Sequence, residues 1–561
     1  MNLKELEETQ VWNLYQKAVS FMNRRKIYTD TDLNNRMYNG DQWHGLKIEG
    51  IEKIQYNFIK PIVKHKTSMI TSNLFAINYS PENLENIEFM ETAQKICDLL
   101  NKRASKVWDT DFMDKKIKKC AKQSAINDEA IVYVTYDTDT DNPINEIISK
   151  NDIMYGDENE EEIQLQPYIL IRQRKTIIEL QEIARREGLS EEKVNSIVGD
   201  NDTSTIAGDS GKEEVDDKCW LITKLYRKDG TIHYCQSTKY CDLKEDTDTG
   251  LKLYPIAHFN WEEQEGNARG IGEVRQLIPN QLETNKTAMR RALSVKNTAY
   301  PQKVINISLV QNPKSANKIG STIEYKDANG NIRASDVYSN TSPAQMSSDS
   351  EKLQTELINY SRDLNNAGDA TTGNINPESA SGKAILAVQN AQNQPLSDQL
   401  IALKSFIEDI ARIWFDMWKT YANDGLIIQT EEKSTQTGEL ETVNEQVPKF
   451  MLDALSTSVK VDITPKGAFD KYAQELSLEN LFTTGKITFD EYVESLDSDS
   501  VMPKVKLESI LKKRKEAQEK INALEEEAEK MKMNAQFEQS SAMDIESMNQ
   551  IGNELINQAT A

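Results

Sequence analysis

Residues 365–395 read NNAGDATTGNINPESASGKAILAVQNAQNQP, and this stretch interrupts two long helical patterns. Its first part is a polar loop with Gly368 and Gly373, in which Ile375 is the single large apolar residue. A new helix is predicted to open at Asn376-Pro377, with Asn as N-cap and Pro at the first helical position, where a missing N–H costs nothing. That helix is slender and Ala-rich, and it must kink or stop near Pro395. Helix, bare polar loop, thin helix, kink and long apolar helix is a poor plan for an enzyme core. It suits a loop that projects into a channel from a ring of subunits.

The flanking patterns are stronger. Downstream, Leu400, Leu403, Phe406, Ile407, Ile410, Ile413, Trp414, Met417 and Trp418 give a wide buried face to a helix over 396–421. Upstream, Leu353, Leu357, Tyr360 and Leu364 step along a helix over 350–366, and Val274, Ile278, Leu282, Asn285, Met289 and Ala292 along another over 270–297. Pro279 must kink or restart the latter. Between them, Val304–Leu309 and Ile319–Tyr325 read as strands, with Asp327–Asn331 a hairpin-type turn. Two narrow-seamed helices around a small β insertion predict an antiparallel pair capped at its far end.

Nearer the N-terminus, Val11, Leu14, Tyr15, Ala18, Phe21 and Met22 mark a first helix. Tyr56–Val63 leads into a helix ending near Asn73, Phe75–Pro81 reads as a strand, 88–105 as a helix, and Ile131–Tyr136 as a buried strand. A basic helix carries Lys115, Lys116, Lys118, Lys119 and Lys122. From 137 to 265 strands dominate (220–225, 231–235, 256–261), around a helix over Thr176–Glu187 closed by Gly188. Acidic stretches 157–162 and 199–217 read as mobile loops. Residues 426–430 and 459–464 are expected to form a hairpin, 468–496 to be helical, and 504–529 to be a charged helix before a polar tail.

The chain has 561 residues, enough for roughly three or four domains. Only 38% of residues are hydrophobic and the mean hydropathy is -0.65, so much surface is wet or shared between subunits. No window reaches the roughly 18 apolar residues of a membrane span, and the polar start, MNLKELEETQ, is expected to mean synthesis without export. Five scattered cysteines make no disulfide framework. His233, Cys235 and Cys241 match no common zinc spacing. A net charge of -23 argues against a sequence-reading DNA-binding protein. It is compatible with DNA that slides, because strongly attracting walls hold the polymer still.

No pattern in the sequence supports catalysis. Both Gly-Lys pairs fail the phosphate-cradling pattern GxxxxGK[ST]: Ile206 and Glu213 frame Gly211-Lys212, and Pro377 and Ala384 frame Gly382-Lys383. Gly270-Ile271-Gly272 begins a GxGxxG but has Arg275 at the third glycine. The four histidines lie in unrelated contexts, and no cofactor, metal set or catalytic residue is nominated. Lys286, Arg290, Arg291 and Lys296 place positive charge along the helix over 270–297, either as ordinary surface and inter-helix ion pairs or as basic rings facing DNA.

The ordered combination of Tyr56–Val63, Phe75–Pro81, the run Ala268-Arg269-Gly270-Ile271-Gly272-Glu273, the helix–insertion–helix unit, the bare loop and Ser379-Ala380-Ser381-Gly382-Lys383-Ala384 resembles the portal proteins of tailed bacteriophages. The resemblance implies an α+β, predominantly helical fold. Residues 1–268 would be the wing, 269–297 a stem helix, 298–345 the clip, 346–366 the returning stem helix and 367–376 the tunnel loop. Residues 377–425 would be the kinked helix and long amphipathic helix, 426–467 a β-containing connection, and 468–561 a helical crown or barrel with a polar tail. It implies a non-enzymatic ring, commonly a 12-mer, around a DNA channel at the capsid vertex of the virion, assembled in the host cytoplasm. Its partners would be double-stranded DNA, the terminase large subunit, a head–tail adaptor, the major capsid protein and a scaffold, with no membrane. Tunnel-loop contacts to DNA would come from Asn365, Asn366, Gly368, Asp369, Thr371, Thr372, Gly373 and Asn374. Basic stem contacts would come from Lys286, Arg290, Arg291 and Lys296, and clip contacts to motor or adaptor from Lys303, Lys314, Lys318 and Lys326. The competing readings are another ring-forming virion protein, such as a head–tail connector or tail-tube component, and a nucleic-acid-processing enzyme.

Overall fold

A computed structural model of the chain describes residues 8–47, 52–82, 87–199, 217–300, most of 303–341, 346–364, 394–433, 440–464, 478–495, 506–507 and 509–514. The chain divides into two compact units, 1–464 and 465–561. Helices make up about half of the described residues and open sheets much of the rest. The balance is more even than the predominantly helical reading of the sequence.

The larger unit is organised around helix Ser397–Tyr421. Its apolar residues fall at three- and four-residue steps, so one face is continuous. Leu403, Phe406, Ile407, Ile410, Ile413, Trp414, Met417 and Trp418 are all buried, as the sequence pattern requires. This face packs on a three-stranded antiparallel sheet, in which Glu129–Asp137 lies between Asn142–Ile148 and Ile256–Asn260. Phe259 meets Phe406 with ring centroids 5.7 Å apart, and Trp414 donates its Nε1 proton to Asn145 Oδ1 at 3.0 Å. On another side the helix packs on strand Leu74–Pro81, where the fully buried Tyr79 donates to the Ala411 carbonyl at 2.8 Å.

That strand has an unexpected partner. Leu74–Pro81 pairs antiparallel with Thr457–Thr464 over its whole length, whereas Leu426–Lys433 pairs with Leu440–Val447. The hairpin expected between 426–430 and 459–464 is therefore incorrect. A connection of six residues closes the local hairpin at little entropic cost, which leaves 457–464 free to cover a distant edge. Alternating apolar residues define a strand but not its partner.

A five-stranded antiparallel sheet, in chain order Ile153–Tyr155, Tyr168–Thr176, Lys218–Lys228, Thr231–Ser237 and Asp242–Asp248, forms a second layer. Helix Gln10–Arg24 covers it, burying Val11, Trp12, Tyr15 and Met22 against Leu170, Trp220 and Ile222. Thr9 caps that helix by accepting from Trp12 N. Helix Ile177–Arg186 starts at the Thr176 cap and ends before Gly188, as read from the sequence. Residues 157–162 are pinned rather than mobile: the Gln166 amide bonds the backbones of Asp157 and Glu160, and Glu158 holds an arginine described below. Of the other acidic stretch, 200–216 lie outside the described residues.

The insertion after 300 is sparse. Among its described residues, the strands are Lys303–Ile305 paired with Tyr338–Asn340, with one bridge between Val310 and Tyr325. Val304 and Ile307 are exposed, so the extended run expected over 304–309 lacks the second layer that would stabilise a longer ladder; of the run expected over 319–325, residues 319–321 lie outside the described residues. Asp327 closes the predicted turn by accepting from Gly330 N and Ile332 N at 2.8 and 2.9 Å.

The smaller unit gathers Leu478, Ile487, Phe489, Tyr492 and Val493 with Leu507 and Leu511. Helix Phe489–Glu494 opens on a capping box between Thr488 and Glu491. The helical stretch predicted over 468–496 is broken in its described part by a turn at 484–487.

Candidate channel elements

Helix Glu273–Ala299 runs unbroken through Pro279, a length of about 40 Å at 1.5 Å per residue. Helix Asp349–Leu364 returns beside it. Asn280 donates to Ser361 Oγ at 3.1 Å near one end, while Arg291 donates to Gln354 Oε1 at 2.8 Å and lies 3.6 Å from Glu351 near the other. The pair is therefore antiparallel, as its sequence steps suggested.

The first helix is most buried along its N-terminal half and exposed from Val295 onward. Its most buried positions are Glu273, Val274, Leu277, Gln281, Thr284, Asn285, Thr287 and Ala288, a face rotated from the expected apolar seam. Ile278, Leu282, Met289 and Ala292 are only half-buried. The rotation has a polar cause. The extended segment before helix Ile59–Ile70 has backbone groups that need partners where it packs against this helix. Gln281 accepts from Phe58 N at 3.0 Å and donates to Tyr56 O at 2.7 Å, and Asn285 accepts from Tyr56 N at 3.1 Å. On the returning helix Gln354 and Ser361 are buried, while Leu353, Tyr360 and Leu364 are exposed. Val295, Tyr300, Val304 and Ile307 continue the exposed apolar series along the far end.

The start of the first helix is locked by buried charge. Arg269 is almost fully buried; it donates to Glu129 Oε1 at 2.5 Å, to both oxygens of Glu158 at 2.9 and 3.1 Å, and to the Ile153 carbonyl at 3.2 Å. Its guanidinium also lies 4.8 Å from the Tyr155 ring centroid. His258 Nε2 sits 2.8 Å from the other oxygen of Glu129. Burial alone would push the Glu129 carboxyl up, but Arg269, His258 and Lys150 together hold it down at about 2. Alongside, Asp128 takes Lys150 on one oxygen at 2.5 Å and Gly272 N on the other at 2.7 Å. Glu273 accepts from Lys66 at 2.7 Å and from Trp261 Nε1 at 3.2 Å.

The two glycines serve close approach. A Cβ on Gly270 would come within 2.6 Å of the Glu262 carbonyl, and one on Gly272 within 2.9 Å of Asp128 N. Gly270-Ile271-Gly272 thus threads a crowded backbone crossing into the helix. Sequence reading singled out these glycines but missed Arg269 and Glu129 as a pair; the two are 140 residues apart and share no local signal.

The nominated contact residues fall as follows. Lys286 lies 3.8 Å and Arg290 3.0 Å from Glu283 on the same helix, Arg291 pairs across to the returning helix, and Lys296 is exposed in the last turn. Lys303, Lys314, Lys318 and Lys326 are exposed on the insertion. The tunnel-loop residues Asn365, Asn366, Gly368, Asp369, Thr371, Thr372, Gly373 and Asn374 lie outside the described residues.

A family model for phage P22-like portal proteins matches residues 173–560, more than half of the chain, including the helix pair and its insertion. The chain belongs to the P22-like phage portal protein family. No individually curated protein matches it. Membership makes it a bacteriophage virion component of genome packaging, in a family that is structural rather than catalytic. Among the described residues, no helix is long and apolar enough to cross a membrane.

Proposed function

We propose that the chain is one subunit of a ring, of the twelve-fold kind usual for portals, set at a single capsid vertex and forming the passage for DNA entry and exit. Helices Glu273–Ala299 and Asp349–Leu364 act as the stem. The insertion 298–345 is the clip that docks the terminase motor during packaging and the head–tail adaptor afterwards. The loop 367–376 is the tunnel loop, residues 1–268 form the wing, and 468–561 form the crown. The observation that carries this reading is the antiparallel helix pair: anchored by buried charge at one end and tipped by a small insertion at the other, it lies wholly within the family match.

The exposed apolar series Leu353, Tyr360, Leu364, Val295 and Tyr300 supports neighbouring copies packing along the stem, because isolated subunits rarely leave such a row uncovered. Among the stem cations, Arg291 holds the two helices together, while Lys286, Arg290 and Lys296 remain at the surface to meet phosphates weakly. Weak contacts suit a channel through which the polymer must move. Shortening 367–376 in the phage tests the tunnel-loop role: the ring is expected to assemble and the capsid to package or retain DNA poorly. Normal DNA content in such particles would remove the loop from the mechanism.

A further inference from the structure

Two helices of the larger unit carry a surface that the channel reading does not use. Helix Ile59–Ile70 contains no carboxylate, and helix Met113–Asn127 contains only Asp114, which accepts from Trp108 Nε1 at 3.0 Å. The two helices pack against each other. Of their eight lysines, Lys66 is spent on Glu273 and Lys116 on Asp111. The other six are Lys60, Lys64, Lys115, Lys118, Lys119 and Lys122, and among the described residues none has a carboxylate partner within ion-pair distance.

Helical spacing places Lys115, Lys118, Lys119 and Lys122 in one stripe and Lys60 with Lys64 in another. The stripes converge where Lys60 and Lys122 lie 5.8 and 5.2 Å from the Tyr38 ring centroid. An ordinary solvated helix face in a chain with 90 acidic and 67 basic residues would mix signs. Helix Ile87–Thr110 does so, with Glu91, Asp98 and Asp109 beside Lys95 and Lys102. Here Lys60–Lys64, Lys115–Lys119 and Lys118–Lys122 are like-charge pairs one turn apart, each mildly destabilising. Among the described residues, no carboxylate lies within ion-pair distance of these six lysines to relieve that repulsion.

We propose that this lysine face binds the phosphate backbone of double-stranded DNA without reading its sequence, as a contact separate from the stem helices. The inference rests on the portal reading for the presence of DNA, but not on the route DNA takes through the ring. Two observations favour a polyanionic nucleic acid over an acidic protein. Within the two helices no large apolar side chain is exposed; Phe112, the N-cap of the second, is exposed at its edge, so the lysine stripes themselves carry no apolar anchor of the kind that dominates protein interfaces. Its cations are all lysine, hydrated point charges that neutralise phosphate without the fixed geometry of an arginine fork.

The test is the salt dependence of binding of a fluorescent random-sequence duplex of about 20 base pairs, compared between the assembled wild-type protein and K64Q/K115Q/K118Q/K119Q. Losing four phosphate contacts makes the slope of log K against log salt shallower by about 3 to 4. The matched Lys→Arg quadruple variant restores it, and each single Lys→Gln change lowers it by about 0.9. Identical slopes in wild type and the Gln variant overturn the proposal. So does binding of a polyglutamate peptide to the same face with no binding of duplex, which assigns it to an acidic protein. Mass photometry of the same samples separates the two claims: a ring with an unchanged slope counts against this face alone, and the absence of any ring counts against the portal architecture.

Discussion

Replacing Arg269 with Met removes four hydrogen bonds and leaves Glu129, which is fully buried, with His258 as its remaining close partner. Breaking a buried pair in this way costs about 3 to 5 kcal/mol, because the surviving charge stays desolvated. The loss is expected to be local, since Arg269 ties strand Glu129–Asp137, the Ile153 carbonyl and Glu158 to the residues leading into helix Glu273–Ala299. Native-state hydrogen exchange followed by mass spectrometry reads it directly. At 1.4 kcal/mol per tenfold, amides of 269–285 in R269M are expected to exchange about two to three and a half orders of magnitude faster at pH 7. The pH dependence has a definite sign. In the wild type the depressed Glu129 pKa contributes stability that is complete above the unfolded carboxylate range and is lost as pH falls toward about 2. Without Arg269 the carboxyl pKa rises, so protonation relieves the variant, and the gap between the two proteins narrows from pH 7 to pH 4. Adding E129Q to R269M removes the stranded charge and is expected to recover more than half of the protection. Exchange within threefold of wild type in R269M would refute the anchoring role.

Other substitutions test separate parts of the account. Gly272→Ala places a methyl against the backbone of Ala125 and Asp128 and is expected to cost about 1 to 3 kcal/mol by overpacking, seen as a lowered midpoint of thermal unfolding. Trp414→Ala empties a fully buried site in the central helix and orphans Asn145 Oδ1; about 3 to 5 kcal/mol of stability should be lost in chemical denaturation. Arg290→Glu with Arg291→Glu reverses charge on the stem and removes the bond to Gln354. It is expected to lower DNA packaging yield more than ring assembly, and unchanged yield would exclude a stem contribution to DNA passage.

What could be read in the sequence was local. The Ser397–Tyr421 helix was legible because nine apolar residues repeat on one face, and helix Ile177–Arg186 because Thr176 and Gly188 punctuate it. The antiparallel stem pair was legible in its order, helix–insertion–helix, but its buried face was not. Gln281 and Asn285 are buried to satisfy backbone groups of Tyr56 and Phe58, a demand invisible in a hydrophobic pattern. Strand pairing failed for a related reason. Residues 457–464 alternate apolar side chains that suit several edges, and the actual partner at 74–81 lies far away in the chain. The short strands of the insertion were over-read because apolar residues there remain exposed in one subunit. Within the candidate site, the glycines were legible, and the charges they bring together were not.

The most direct test of the portal account is cryo-electron microscopy of the purified 561-residue chain, with its mass measured in parallel. The account predicts a ring with a central hole, near the roughly 770 kDa of twelve 63.9-kDa copies, with helices Glu273–Ala299 and Asp349–Leu364 facing the hole. A particle with no hole, or a ring that carries this helix pair on its outer rim, would contradict it.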